Sequence, residues 1–294
     1  MKKAIIAVIA IIIIAGGIYY FTRSSSQDTT QDQTTNTDTT PAPIVDKTKT
    51  VIGKSVQGND LTAYHFGTGT TTEVLFVGGI HGGYEWNTAL VAYELMDYLK
   101  TDPSVIPANV SVTVIPVLNP DGLNKTVGTT TRFSASDVPS SQETQIAGRF
   151  NANTVDLNRN FDCDWQAEGK WQTKTVSGGT AAFSEPESLA IKNYVEMKKP
   201  AAVVVWYSSA GGVFASNCHT GVLPETNKIT KVYADASGYP AFQSFDFYEV
   251  TGDMVNWLAK NNVPAISVLL TNHTSTEWTK NQAGVKALLQ YYAK

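Results

Sequence analysis

Two short runs constrain this chain more than any other feature: residues 201–206 (AAVVVW) and 265–270 (AISVLL) are almost wholly apolar. A strand that is apolar at every position has both faces covered, so it lies at the centre of a sheet layered with helices. Residues 74–77 and 110–117 read as further strands, the first ending at Gly78-Gly79 and the second at the turn Asn119-Pro120-Asp121-Gly122. Between and after them come helical patterns, from about residue 86 to 99, from near Ser184, and over 224–237, 251–260 and 277–292. Ser184-Glu185-Pro186-Glu187 and Thr274-Ser275-Thr276-Glu277 have the form of capping boxes. Residues 51–55 and 61–66, flanking Gln57-Gly58-Asn59-Asp60, read as a hairpin. Strands alternating with helices predict an α/β fold with a mixed, mostly parallel sheet flanked by helices. In such folds sites gather at the C-terminal ends of strands, and His81, Asn119, Tyr207 and Leu269 all fall at or just beyond a strand end.

The ends of the chain read differently. Lys2 and Lys3 precede an unbroken apolar run from Ala4 to Phe21, closed by Arg23. As a helix, 18 residues cover about 27 Å, close to the thickness of a bilayer core. Residues 1–23 are therefore expected to be a single-pass transmembrane signal anchor. The positive flank keeps the N-terminus cytoplasmic and sends the rest across the plasma membrane. A cleaved signal peptide is the rival reading, with a poor cleavage site at Ala15-Gly16-Gly17. Residues 24–46 are rich in Ser, Thr, Gln and Asp, which predicts a disordered linker, and leave 47–294 as the folded domain. A net charge of −4 argues against a nucleic-acid partner. Cys163 and Cys218, paired in an exported domain, are expected to form a disulfide.

Chemistry concentrates in two places. His81-Gly82-Gly83-Tyr84-Glu85 sets a His and a Glu close together after a strand, a pair able to grip zinc. Val155-Asp156-Leu157-Asn158-Arg159-Asn160-Phe161 carries an Asn-Arg pair, a fork of donors shaped for a carboxylate. Together they suggest a metal beside the free C-terminus of a peptide.

With these residues in view the chain resembles the zinc carboxypeptidase family, the carboxypeptidase A-like metallopeptidases, over about residues 50–294. The resemblance implies one zinc ion held by His81 and Glu85, with Asp156 orienting the histidine. It makes Asn158 and Arg159 the binders of a peptide's C-terminal carboxylate, Arg149 the oxyanion arginine and Tyr248 the mobile lid. It also exposes departures. The family's His-x-x-Glu spacing is His-x-x-x-Glu here. Tyr207 stands where a third zinc ligand, a His, is expected. Leu269 stands where the general base, a Glu, is expected.

Four nearby residues offer alternatives. By two-residue alternation Ser267, Leu269, Thr271 and His273 share a face, so His273 is either a replacement ligand or base, or a plain loop histidine. Glu277 reads as a helix cap, His219 as a surface residue or substituted ligand, and His65 as structural. Val255 matches the floor of the specificity pocket and implies an apolar C-terminal side chain, whereas Asp253 implies a basic one. Two functions follow. One is a membrane-tethered metallocarboxypeptidase with an altered zinc and base set, acting on peptide C-termini. The other is a catalytically inactive homologue that only binds them. In a bacterium an exported domain of this kind meets cell-wall peptides.

Overall fold

The computed structural model describes residues 48–293. The anchor expected over 1–23 and the linker expected over 24–46 lie outside the described residues. Among the described residues no helix is long and apolar enough to cross a membrane.

Among the described residues ten strands and seven α-helices follow in chain order. The strands are β1 (Lys49–Lys54), β2 (Asp60–Phe66), β3 (Thr72–Val77), β4 (Val110–Ile115), β5 (Glu168–Trp171), β6 (Lys174–Ser177), β7 (Ala202–Ser208), β8 (Gly212–Ala215), β9 (Ala241–Phe242) and β10 (Ala265–Leu270). The helices are α1 (Trp86–Thr101), α2 (Pro120–Val127), α3 (Gln142–Ala147), α4 (Pro186–Lys198), α5 (Pro224–Ser237), α6 (Met254–Lys260) and α7 (Trp278–Tyr291). Eight strands form one sheet in the order β1-β2-β4-β3-β7-β10-β8-β9, and β5 pairs with β6 in a separate hairpin. The central ladders β4-β3, β3-β7 and β7-β10 are parallel, while β1-β2, β2-β4 and β10-β8 are antiparallel. The expected mixed, mostly parallel sheet is therefore present.

The apolar runs do what their composition demands. Every residue of β7 and β10 is buried. Alternation sends Ala202, Val204 and Trp206 into one core layer, with Ile266, Val268 and Leu270. Val203, Val205 and Tyr207 face the other layer with Leu269, Leu157, Phe161 and Trp257. In the parallel ladder Tyr207 and Leu269 are register partners at the C-terminal strand ends.

Local signals were less reliable at helix starts. Asn119-Gly122 is not a free turn but the start of α2, with Asn119 Oδ1 accepting from Gly122 N at 2.8 Å. Neither expected capping box forms. Ser184 Oγ donates to Glu185 Oε1, and Glu187 is buried, accepting from Val56 N and Asn151 Nδ2. Glu277 occupies the N-cap position of α7 without a side-chain cap bond. Its carboxylate accepts instead from Thr271 N at 2.6 Å, Thr271 Oγ1 at 2.8 Å and Tyr239 OH at 2.8 Å. In each case donors from distant segments displace the local partner. Helix α6 begins at Met254 rather than 251, capped by Asp253.

Cys163 and Cys218 are bonded, with Cα atoms 6.1 Å apart and a sequence separation of 55. A cross-link closing a loop of that length stabilises by roughly 2–4 kcal/mol, mainly by restricting the unfolded chain. Replacing both cysteines by alanine is expected to lower Tm by roughly 5–15 °C in a calorimetric scan. An unchanged Tm would show that the cross-link carries no stability.

Candidate functional site

Strand β3 ends in Gly78-Gly79, and Gly79 takes a left-handed φ of 60° that turns the chain back over the sheet edge. His81 follows, and Tyr84 N donates to His81 O at 3.0 Å, closing a turn that absorbs the extra residue before Glu85. Both His81 and Glu85 are buried, with His81 Nδ1 2.9 Å from Glu85 Oε1. The other ring nitrogen, Nε2, lies 3.2 Å from Asp156 Oδ1. A carboxylate only accepts, so Asp156 fixes a proton on Nε2 and leaves Nδ1, which faces a second carboxylate, as the ring nitrogen that a metal would take. Nδ1 is close to Glu85 but off the hydrogen-bonding line, and it has no hydrogen-bond partner among the described residues.

Arg149 closes this group. Its Nε donates to Asp156 Oδ2 at 2.9 Å, its Nη2 forms an ion pair with the same oxygen at 2.8 Å, and its Nη1 lies 3.6 Å from Glu85 Oε1. Trp171, at the tip of the β5-β6 hairpin, stacks 4.5 Å from the guanidinium carbon, and Tyr84 lies 5.5 Å away on the ring-centroid measure. Burial opposes ionisation of Asp156, but Arg149, His81 and Arg159 outweigh it and hold the carboxyl far below its usual range. Glu85 is treated alike: burial is overcome by His81 and Arg149, and its pKa is lowered. Its second oxygen accepts from Ser208 N at 3.1 Å.

Beside this group lie the fork and its surroundings. Asn158 Nδ2 donates to Asp253 Oδ2 at 2.8 Å, while its Oδ1 accepts from Tyr207 OH and Met254 N, each at 3.1 Å. Arg159 donates from Nε and Nη2 to Lys170 O at 2.8 and 2.7 Å, and from Nη1 to Asn158 O at 2.6 Å. Gly252 passes so close that a Cβ there would collide with the Arg159 carbonyl. Asp253 also caps α6, accepting from Asn256 N at 2.9 Å.

These residues line one cavity of about 650 Å³. Its wall brings together His81, Glu85, Arg149, Asn158, Arg159, Tyr207, Tyr248, Asp253, Val255, Leu269 and His273. Asp156 stands behind it, reached through His81 and Arg149. His219 and His65 are elsewhere: His219 is exposed and paired with Asp164 at 2.6 Å, and His65 lies between Thr50 and Thr113. Sequence reasoning missed Trp171, Ser209, Phe214, Phe245 and Phe247, which also line the cavity. The alternation of Glu168-Gly169-Lys170-Trp171 was a usable signal for the hairpin, with Gly169 and Trp171 buried between exposed neighbours. The Phe245–Phe247 segment carries no periodicity to read.

A zinc site of the expected kind needs three protein donors and an open position. Two are here, His81 Nδ1 and Glu85. Tyr207 is not a third. Its hydroxyl is donated to Asn158, and burial, with Asp253 and Glu85 nearby, pushes its pKa well above the ordinary value. Among the described residues no group of three His, Cys, Asp or Glu side chains stands in a metal-binding arrangement, and His273 Nδ1 is taken up by Ser208 Oγ. The donor set therefore falls short of the three-ligand centre. Leu269 presents hydrocarbon where a base is required, and the two carboxylates on the wall, Glu85 and Asp253, are both held by backbone N–H groups.

A mostly parallel sheet with this cluster at its strand ends defines the carboxypeptidase type of α/β protein. The zinc carboxypeptidase family model matches residues 43–285, and the chain belongs to that family. It is 25% identical over 219 residues to the gamma-D-glutamyl-L-diamino acid endopeptidase 1 of Lysinibacillus sphaericus, covering 68% of this chain and 54% of that protein. The chain thus spans about half the length of that relative. It is 26% identical over 233 residues to the murein peptide amidase A of Vibrio campbellii, covering 76% of this chain and 79% of that protein. Carboxypeptidase A from Helicoverpa armigera superposes with a TM-score of 0.66 at 20% identity, covering 84% of this chain and 68% of that one.

Proposed function

We propose that this protein binds the C-terminal ends of peptides in a carboxypeptidase pocket without zinc-dependent cleavage, and that residues 1–23 hold it on the outer side of the plasma membrane. The observation that carries the binding is the state of Arg159. A guanidinium has five N–H donors, and three are used by Lys170 O and Asn158 O. One N–H on each terminal nitrogen remains, on a buried side chain that lines the cavity. Two such donors suit a carboxylate. The names of two relatives, a murein peptide amidase and a gamma-D-glutamyl-L-diamino acid endopeptidase, make cell-wall peptides the ligand class. Val255, Phe214, Phe245 and Leu269 on the wall favour an apolar or aliphatic-stemmed last side chain. Asp253 is engaged by Asn158 and Asn256, which counts against the basic alternative.

Calorimetric titration of residues 45–294 with a peptide and with its C-terminal amide tests this reading. The amide is expected to bind at least about 30-fold more weakly, since it leaves the guanidinium donors without a charged partner. Equal affinities would overturn it.

A second reading, residual metal-dependent cleavage, is favoured by one observation: His81 Nδ1 and Glu85 Oε1 face each other at 2.9 Å without a hydrogen bond, as two ligands of one metal would. Metal analysis separates the two. The wild-type protein is expected to hold well under one zinc per chain and to release no C-terminal residue. The Tyr207→His, Leu269→Glu double variant is expected to gain zinc. Stoichiometric zinc with zinc-dependent turnover in the wild type would establish the second reading.

A further inference from the structure

The cavity wall carries a second polar device that neither the carboxylate pocket nor the zinc-site remnant uses. A chain of contacts orders the wall: Arg159 to Asn158, Asn158 to Tyr207, Tyr207 beside His81, His81 to Glu85, Glu85 to Ser208, and Ser208 to His273. In that order Arg159 stands at one end, His81 and Glu85 in the middle, and His273, beside Ser209, at the other.

The protonation of His273 follows from its neighbours. Asn87 Nδ2 donates to Asn272 O at 2.8 Å and Ser275 O at 2.9 Å, which leaves Asn87 Oδ1 facing Ser208 Oγ at 3.2 Å. An amide oxygen only accepts, so the single hydroxyl proton of Ser208 goes to Asn87. Ser208 Oγ is then the acceptor in its 2.7 Å contact with His273 Nδ1. The ring is protonated on Nδ1, and Nε2 carries a lone pair. Nε2 lies 3.4 Å from the hydroxyl of exposed Ser209, on the cavity wall. The ring is held in place by Tyr84, 4.7 Å between centroids, and the loop by Glu277, which takes both Thr271 donors. Burial lowers the pKa of His273, in keeping with a neutral imidazole.

We propose that His273 is a ligand-reading residue whose Nε2 accepts a hydrogen bond from the N–H, or amino group, of the residue preceding the ligand's C-terminal residue. It rests on the carboxylate reading above. The physical need is plain: an extended peptide entering a half-enclosed cavity brings backbone N–H groups that must find acceptors. Asn87, through Ser208, is the positioning residue that keeps this acceptor turned outward.

Two measurements test it. Nitrogen NMR of the four histidines, assigned through a His273→Gln variant, is expected to show His273 with a protonated Nδ1 and an unprotonated Nε2. An Asn87→Leu substitution frees the Ser208 proton and is expected to move the tautomer toward Nε2–H. Finding Nε2–H in the wild type would overturn the inference without reference to any ligand. For binding, a tripeptide is compared with the analogue in which an ester oxygen replaces the N–H of the penultimate residue. The ester is expected to bind about tenfold more weakly to the wild type, the worth of one such hydrogen bond, and equally to the His273→Ala variant. If affinity depends on the free carboxylate but ignores the ester replacement, this inference fails and the carboxylate reading stands. If no peptide binds, both fail.

Discussion

Replacing Arg159 by methionine is expected to reduce affinity for a free-carboxylate peptide by about a hundredfold or more. Truncating one partner of a buried, hydrogen-bonded charge pair costs about 2–5 kcal/mol. Arg159→Lys is expected to recover only a small part of this, because an ammonium keeps the charge but not the planar pair of donors. The same substitutions remove both N–H groups that Lys170 O accepts, so the β5-β6 hairpin loses an anchor. Thermal melts of each variant separate that structural cost from the binding loss. An Arg159→Met protein that folds and binds the peptide as the wild type does would place the carboxylate elsewhere.

The largest stability effect is expected at Asp156. Its carboxylate is fully buried and holds Arg149 through a hydrogen bond and an ion pair, His81 through one hydrogen bond, and the backbone N–H of Asn158 at 3.1 Å. Asp156→Ala leaves a buried guanidinium and several donors without a partner, a loss of about 3–5 kcal/mol measurable by urea unfolding. Adding Arg149→Met to that variant is expected to return part of the loss, since both charges are then gone. The pH dependence has a definite sign. The folded-state pKa of Asp156 lies far below its unfolded value near 4, so its charge stabilises the fold at all higher pH. That contribution is lost as pH falls below about 4 and toward the folded pKa. The Asp156→Asn variant is expected to show a flatter stability profile over this acid range. Parallel profiles for the two proteins would show that the buried carboxylate is not the linked group.

Much of the fold was legible because it rests on local pattern. The apolar runs at 201–206 and 265–270 mark the central strands, and Pro224–Ser237 and Ala265–Leu270 were bounded as the structure has them. The β5-β6 hairpin was missed although Glu168–Trp171 alternates, because a four-residue run is too short for its period to stand out from a loop. The capping boxes at Ser184 and Thr274 failed for a different reason. Their glutamates, Glu187 and Glu277, meet better donors from Val56, Thr271 and Tyr239. A box is a local option that holds only when nothing more distant competes.

The residues of the site were legible in kind but not in state. Strand position was enough, from sequence alone, to put His81, Tyr207 and Leu269 at the sheet's C-terminal edge, and the resemblance to the zinc carboxypeptidase family brought Glu85, Asn158 and Arg159 into the same neighbourhood. Only the tertiary structure decided what each side chain is bonded to. Tyr207 is committed to Asn158, 49 residues away in sequence, and Asp253 to Asn158, 95 away. The tautomer of His273 is set through Ser208 by Asn87, 121 residues from that serine. Side-chain direction follows from the backbone's own period, which any short segment contains. The partner of a buried polar group is whichever donor or acceptor the rest of the chain delivers, and no segment contains that by itself.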